Sequence, residues 1–184
     1  NPAFLFLLVS WVTWSAWDVS RPQVSSLADT ELSNAMVYFE NGDFDNAVLQ
    51  LELVVENHQN TSAANHASFY LGRTAFINGN KDKALMLLSQ SASRLQYPAL
   101  QTEAYLMLGQ LDSDTNKALK FFDKASKTAL SVNEKTYISI LKAKRIAIDG
   151  NIEQSLIILK EIQADETPYK ELYEEVYGMV LTLN

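Results

Sequence analysis

One short pattern recurs along this chain, and an internal repeat constrains a fold more tightly than composition can. Three segments share it: FENGDFDNAVLQLELV at 39–54, FINGNKDKALMLLSQS at 76–91 and AIDGNIEQSLIILKEI at 147–162. Each places a glycine (Gly42, Gly79, Gly150), then four residues, then a small residue (Ala47, Ala84, Ser155), then an apolar run. The glycines stand 37 and 71 residues apart, and the wider gap holds a further copy, TEAYLMLGQLDSDTNKALKFFDKAS at 102–126. There Leu108-Gly109 corresponds to Leu71-Gly72 and Ala118 to Ala84, with a spacing three residues shorter. The shortening is expected in the inter-helix loop, which also lacks the turn glycine.

Glycine before Asp or Asn stops a helix, and the polar residues after it start the next. Each copy therefore predicts a helix pair. Small residues at Ala35, Gly72, Gly109 and Ala143 let the first helix of a pair approach the second, and Ala47, Ala84, Ala118 and Ser155 answer from the second. Gly72 is expected to face Ala84. Leu51, Leu88, Phe122 and Leu159 fill the seam. A chain of 184 residues with 47% hydrophobic and 20% charged residues has the apolar content for such a core.

The pattern resembles the tetratricopeptide repeat family. Leu71, Gly72, Ala84, Leu88 and Pro98 match its consensus, as do Leu108, Gly109, Ala118, Phe122 and Ala125. Tyr38 and Ala47 match in the first unit; Ala143 and Ser155 stand in the fourth, which Pro168 closes, and the consensus Trp is absent. The resemblance covers roughly residues 27–184. It implies an all-α fold, a right-handed superhelix of antiparallel helix pairs in about 4.5 repeats, near 28–61, 65–98, 99–131, 133–168 and a half repeat at 169–184. The half repeat carries Gly178 at the close-packing position, so the chain is expected to continue past Asn184.

The same resemblance implies a protein-binding groove lined by the first helices. Carried over by position, it names Met36 and Glu40 in the first unit and His66, Phe69, Arg73, Phe76 and Ile77 in the second. Glu103 and Gln110 follow in the third unit, and Tyr137 and Lys144 in the fourth. Phe69 and Phe76, with Arg73 between them, are expected to anchor an amphipathic or acidic-ended segment of a partner.

The N-terminus is of a different kind. From Pro2 to Trp17 no residue is charged, and all three tryptophans (Trp11, Trp14, Trp17) fall in this stretch. Sixteen residues rise about 24 Å as a helix, somewhat short of a hydrocarbon core of about 30 Å. Indoles favour the membrane–water interface, so their position marks an exit from the bilayer. Residues 1–20 are therefore expected to be a single transmembrane anchor, truncated at its start, with 21–184 as the repeat domain; the rival reading is a signal peptide's apolar region, for which Thr13-Trp14-Ser15 is a poor cleavage site. Between Asp18 and Gly72 the only cation is Arg21, against eight acids. Cytoplasmic flanks are normally rich in Lys and Arg, so this flank reads as exported.

The formal net charge of −7 argues against a nucleic-acid binder. The chain has no cysteine, and His58 and His66 are its only histidines. No phosphate loop, metal-ligand spacing or nucleophile elbow is present. The expectation is thus no catalysis, cofactor, metal or small-molecule substrate. The cluster Lys142, Lys144 and Arg145 reads as a solvated helix face.

An anchor, an acidic exported flank and about five such repeats also resemble the layout of the ancillary subunit family of the bacterial Sec translocon. That resemblance implies a single-pass protein of the bacterial inner membrane, held through residues 2–17, with periplasmic repeats. Its partners would be translocon subunits, exported chains or periplasmic chaperones. The alternatives are a periplasmic scaffold for envelope, pilus or secretion machinery, and the repeat module of a larger enzyme.

Overall fold

The computed structural model describes residues 26–183, and the anchor predicted over residues 1–20 lies outside them. The described chain is helical throughout. Helix α1 covers residues 26–40. It is followed by α2 (Phe44–Asn57), α3 (Ser62–Ile77), α4 (Lys81–Ser91), α5 (Pro98–Leu111), α6 (Thr115–Thr128), α7 (Val132–Ile148), α8 (Ile152–Lys160) and α9 (Lys170–Leu183), with a short 3₁₀ turn at Ala92–Arg94. Among the described residues no helix is long and apolar enough to cross a membrane. The described residues divide into two compact units, one ending at Leu71 and one beginning at Gly72.

Three turns share one hydrogen-bonding scheme. At each, a glycine in the left-handed region (Gly42 φ +76°, Gly79 φ +73°, Gly150 φ +90°) ends the helix, a conformation that L side chains resist. The Gly42 N–H donates to the Phe39 carbonyl and the Asp43 N–H to the Tyr38 carbonyl. Gly79 and Asn80 bond in the same way to Phe76 and Ala75, and Gly150 and Asn151 to Ala147 and Ile146. This double closure satisfies carbonyls that a helix end leaves open. The residue after each glycine also starts the next helix: the side chains of Asp43, Asn80 and Asn151 accept from the N–H groups of Asn46, Lys83 and Gln154.

The third pair departs from this scheme, and the shortening is not in the loop where the spacing placed it. Its turn, residues 112–114, is as long as the others; the three missing residues come from the end of α5, which stops two residues after Gly109, whereas α3 runs five past Gly72. Asp114 still caps α6 through the Lys117 N–H, but Ser113 replaces the glycine and does not take a positive φ. The turn is held instead from α7. Arg145 Nη2 donates to the Ser113 carbonyl at 2.6 Å and its Nε to Thr115 Oγ1 at 3.1 Å. Thr115 in turn donates to Asp149 at 2.9 Å.

The second unit is built by α5 packing on α6, α7 on α8, and α9 against both α7 and α8. Ala104, Leu108, Ala118, Phe122 and Ala125 are buried in the α5–α6 seam. A Cβ on Gly109 would stand 2.9 Å from the Phe122 ring, so only glycine admits that ring so close. At Gly72 the nearest atoms belong to Leu88 (2.8 Å) and Leu87, not to the expected Ala84: the small residue of one helix receives the large residue of the other. Around α7 the core is Ile140, Ala143, Ala147, Leu159, Val176 and Val180. In the first unit Ala28, Ala35, Ala47 and Leu51 are wholly buried.

Candidate protein-binding groove

The residues named for a groove separate into three environments. Phe69 is 0% exposed, so its side chain is not on the surface where a partner could reach it. Its ring stands edge-on to Tyr70 at 5.2 Å, and Tyr70 also meets Phe39. The expectation of a surface anchor at Phe69 is therefore not met, since its side chain is enclosed. Met36 is half-buried and Glu40 exposed. His66 is half-buried; burial pushes its imidazole below the ordinary range, and Asp29 pulls partly the other way. His58, at the C-terminal end of α2, is buried and hydrogen-bonded to Glu31 at 2.8 Å.

In the second unit the cations are not available in the way expected of Arg73. Its Nε is 3.0 Å from Glu103 Oε1, so an α3 cation is paired with an α5 acid. Lys144 on α7 likewise meets Glu175 on α9 at 2.9 Å. Both pairs join successive first helices and are part-exposed. Such pairs contribute only about 0–1 kcal/mol, and their larger effect is to cancel charge along this face. The predicted basic cluster disperses too: Lys142 pairs with Asp123, Lys144 with Glu175, and Arg145 serves the α5–α6 turn. Phe76 is half-buried, while Ile77 and Gln110 are exposed.

The named residues that do converge are Glu103 and Tyr137. With Leu106, Thr102, Ile138 and Tyr169 they line a cavity of about 270 Å³ bounded by α5, α7 and the connection that leads into α9. The Tyr137 and Tyr169 rings stand 4.9 Å apart and tilted at 42°, a favourable aromatic arrangement. Glu134, also on the wall, is committed to the start of α7: its carboxylate accepts from the N–H groups of Leu130 and Ser131, while Ser131 Oγ accepts from Glu134 N–H. Glu103 is committed to Arg73. The cavity thus presents aliphatic walls, two phenol rings and no uncommitted charge. It suits one apolar or aromatic side chain, with hydrogen bonding at the rim.

Sequence reasoning misses Tyr169 as a site residue: it opens the half repeat expected at 169–184, whereas the structure places it in the connection just before α9. A larger cavity of about 350 Å³ opens between the start of α7 and the end of α8, and none of the named groove residues reaches it.

No family model and no curated protein matches the chain. Among solved structures, it is similar to a crystal structure of nearly identical TPR-like repeats described as a kinesin light chain of Podosopora anserina. The two are 16% identical, with a TM-score of 0.59 over 86% of this chain and 95% of that one. At that identity the likeness concerns the backbone alone, and it shows that this chain has the fold of TPR-like repeats.

Proposed function

We propose that the chain is a non-catalytic protein-interaction module that grips an apolar or aromatic side chain of a helical or extended peptide. The observation that carries this is the cavity beneath Tyr137 and Tyr169, where two residues named from the repeat pattern meet on faces whose cations are already neutralised. Aromatic anchors in such pockets dominate interface energies, with losses of about 2 kcal/mol or more on truncation. The internal charge pairs favour partners held by shape and apolar contact over partners held by charge.

The proposal extends to location. The uncharged run at 2–17 supports a membrane anchor, and the cation-poor flank after it supports repeats on the exported side. Together with the fold, this layout supports an ancillary subunit of the bacterial Sec translocon that engages exported chains or periplasmic chaperones.

Photocrosslinking in membranes from Leu106 or Tyr137 tests the reading. Adducts with translocon subunits or exported chains are expected. A single fixed envelope protein would replace the translocon reading with a scaffold. Adducts from the exposed Ile157 but none from Leu106 or Tyr137 would overturn the groove itself. A reporter active only after export, fused at residue 184, should be active; an inactive fusion would overturn the location.

A further inference from the structure

The outward face of α6 carries a charge opposite to that of the chain as a whole. Lys117, Lys120, Lys124 and Lys127 follow at intervals of three, four and three residues, and all four are exposed. At about 3.6 residues per turn this spacing puts them on one side of the helix, in a row about 15 Å long. The buried Ala118, Phe122 and Ala125 take the other side. The chain has a net charge of −7, yet the only acid within α6 is Asp123, and it is paired with Lys142. Of the acids just before the helix, Asp114 accepts from the Lys117 N–H and Asp112 from the Asp114 N–H. Lys117, Lys120 and Lys127 have no ion-pair partner among the described residues. Lys124 lies over the rings of Tyr105 and Phe121, 5.3 and 5.7 Å from their centroids, which holds the middle of the row in place.

The row runs directly into an apolar loop. Leu130, three residues past Lys127, is 68% exposed, and Val132 is 78% exposed. So short a connection keeps Leu130 within about 11 Å of Lys127. The loop backbone is fixed: the Leu130 and Ser131 N–H groups donate to the Glu134 carboxylate at 2.6 and 3.1 Å. Its apolar side chains thus stay in water although the chain around them is tied down. Lysine ammonium groups are point charges on flexible stems, without the fork that reads a single carboxylate, and α6 has no arginine. Diffuse positive charge followed by exposed apolar side chains suits a plane of anionic headgroups, with the lysines at the phosphates and Leu130 and Val132 at the acyl boundary.

We propose that α6 and the loop after it dock against a membrane surface rich in anionic phospholipid. The nearness of a membrane rests on the anchored reading above; the charge row and the loop do not. A single patch of this kind binds weakly and reversibly, and a tether raises its effective concentration at the surface.

The chain has no cysteine, so Leu130→Cys gives one attachment site for an environment-sensitive fluorophore in the 184-residue protein. In phosphatidylcholine vesicles containing phosphatidylglycerol its emission should shift to the blue. The shift should be absent in phosphatidylcholine alone and fall away in about 0.5 M salt, where exposed charges are screened. The same label at Ile157, exposed on α8, should not respond. Lys117→Gln, Lys120→Gln and Lys127→Gln together should abolish the shift at an unchanged melting temperature, because none of the three holds an ion pair. No shift at 130, an equal shift in both lipids, or a shift that survives the triple substitution would overturn the proposal. So would an equal shift with soluble polyglutamate and no vesicles, since the occupant would then be an acidic protein segment. Flotation with phosphatidylcholine vesicles reads the anchor separately: its loss would overturn the anchored reading, and the lipid-dependent shift at 130 would still decide the docking.

Discussion

The turns at Gly79 and Ser113 do the same job by different means. At Gly79 the chain closes α3 and opens α4 with bonds no more than five residues long, supplied by its own backbone and by Asn80. At Ser113 the glycine is missing and α5 ends early, and the stabilising donor is Arg145, 32 residues on. The first turn forms as soon as its own helices form. The second has local bonds from Asp112 and Asp114, and adds those from Arg145 only when α7 has docked. Local closure thus makes a pair self-sufficient, while borrowed closure ties one pair to the next.

The largest test of this contrast strikes the seam on which the α5–α6 pair depends. Gly109→Leu should force the Phe122 ring aside and cost about 1–3 kcal/mol in urea unfolding, the range for overpacked cores. A cost below about 0.5 kcal/mol would mean that the pair does not rest on that contact. Next comes the local turn. Gly79→Ala places a side chain at φ +73° and should cost about 1–2 kcal/mol, with a similar loss for Gly150→Ala. Ser113→Ala should change stability by no more than about 0.5 kcal/mol, because its turn uses only the Ser113 backbone.

Arg145→Ala is expected to cost about 1 kcal/mol, as two part-exposed hydrogen bonds are lost. Its sharper signature is in amide exchange: protection should fall at residues 115–118 while the amides of Gly79 and Asn80 stay protected. Equal loss at both turns would erase the distinction between them. The smallest effect is a control that touches neither turn. Burial lowers the His66 pKa, so the unfolded chain takes up the proton first as pH falls through about 6.5. Stability should therefore decline over that interval toward the lower folded value, and His66→Gln should make the decline shallower. The difference between Gly79→Ala and Arg145→Ala should not change with it.

The same contrast separates what is legible in the sequence from what is not. The turns at Gly42, Gly79 and Gly150 are legible because glycine and the following Asp or Asn state their role within a few residues. The seam residues are legible by their recurrence. The place of the three-residue shortening is not, since a deletion shows only as spacing, and helix or loop can absorb it. Nor are the charge pairs: Arg73 and Glu103, or Lys144 and Glu175, are 30 and 31 residues apart, and only the stacking of successive helices makes them neighbours. Phe69 misleads for a related reason, because its burial is set by packing in three dimensions and not by its position in the repeat.

The glycine turns also bear on how this protein ages. Asn41-Gly42 and Asn78-Gly79 are exposed, and Asn-Gly is the dipeptide most prone to deamidation through a cyclic imide. That reaction requires the glycine nitrogen to attack the asparagine side chain. Here both glycine N–H groups are held by helix carbonyls, Phe39 for Gly42 and Phe76 for Gly79. The bonds that end the helices therefore also restrain the attacking atom, and deamidation should follow transient opening of each turn. Mass spectrometry of stored protein would then time those openings, residue by residue, over weeks.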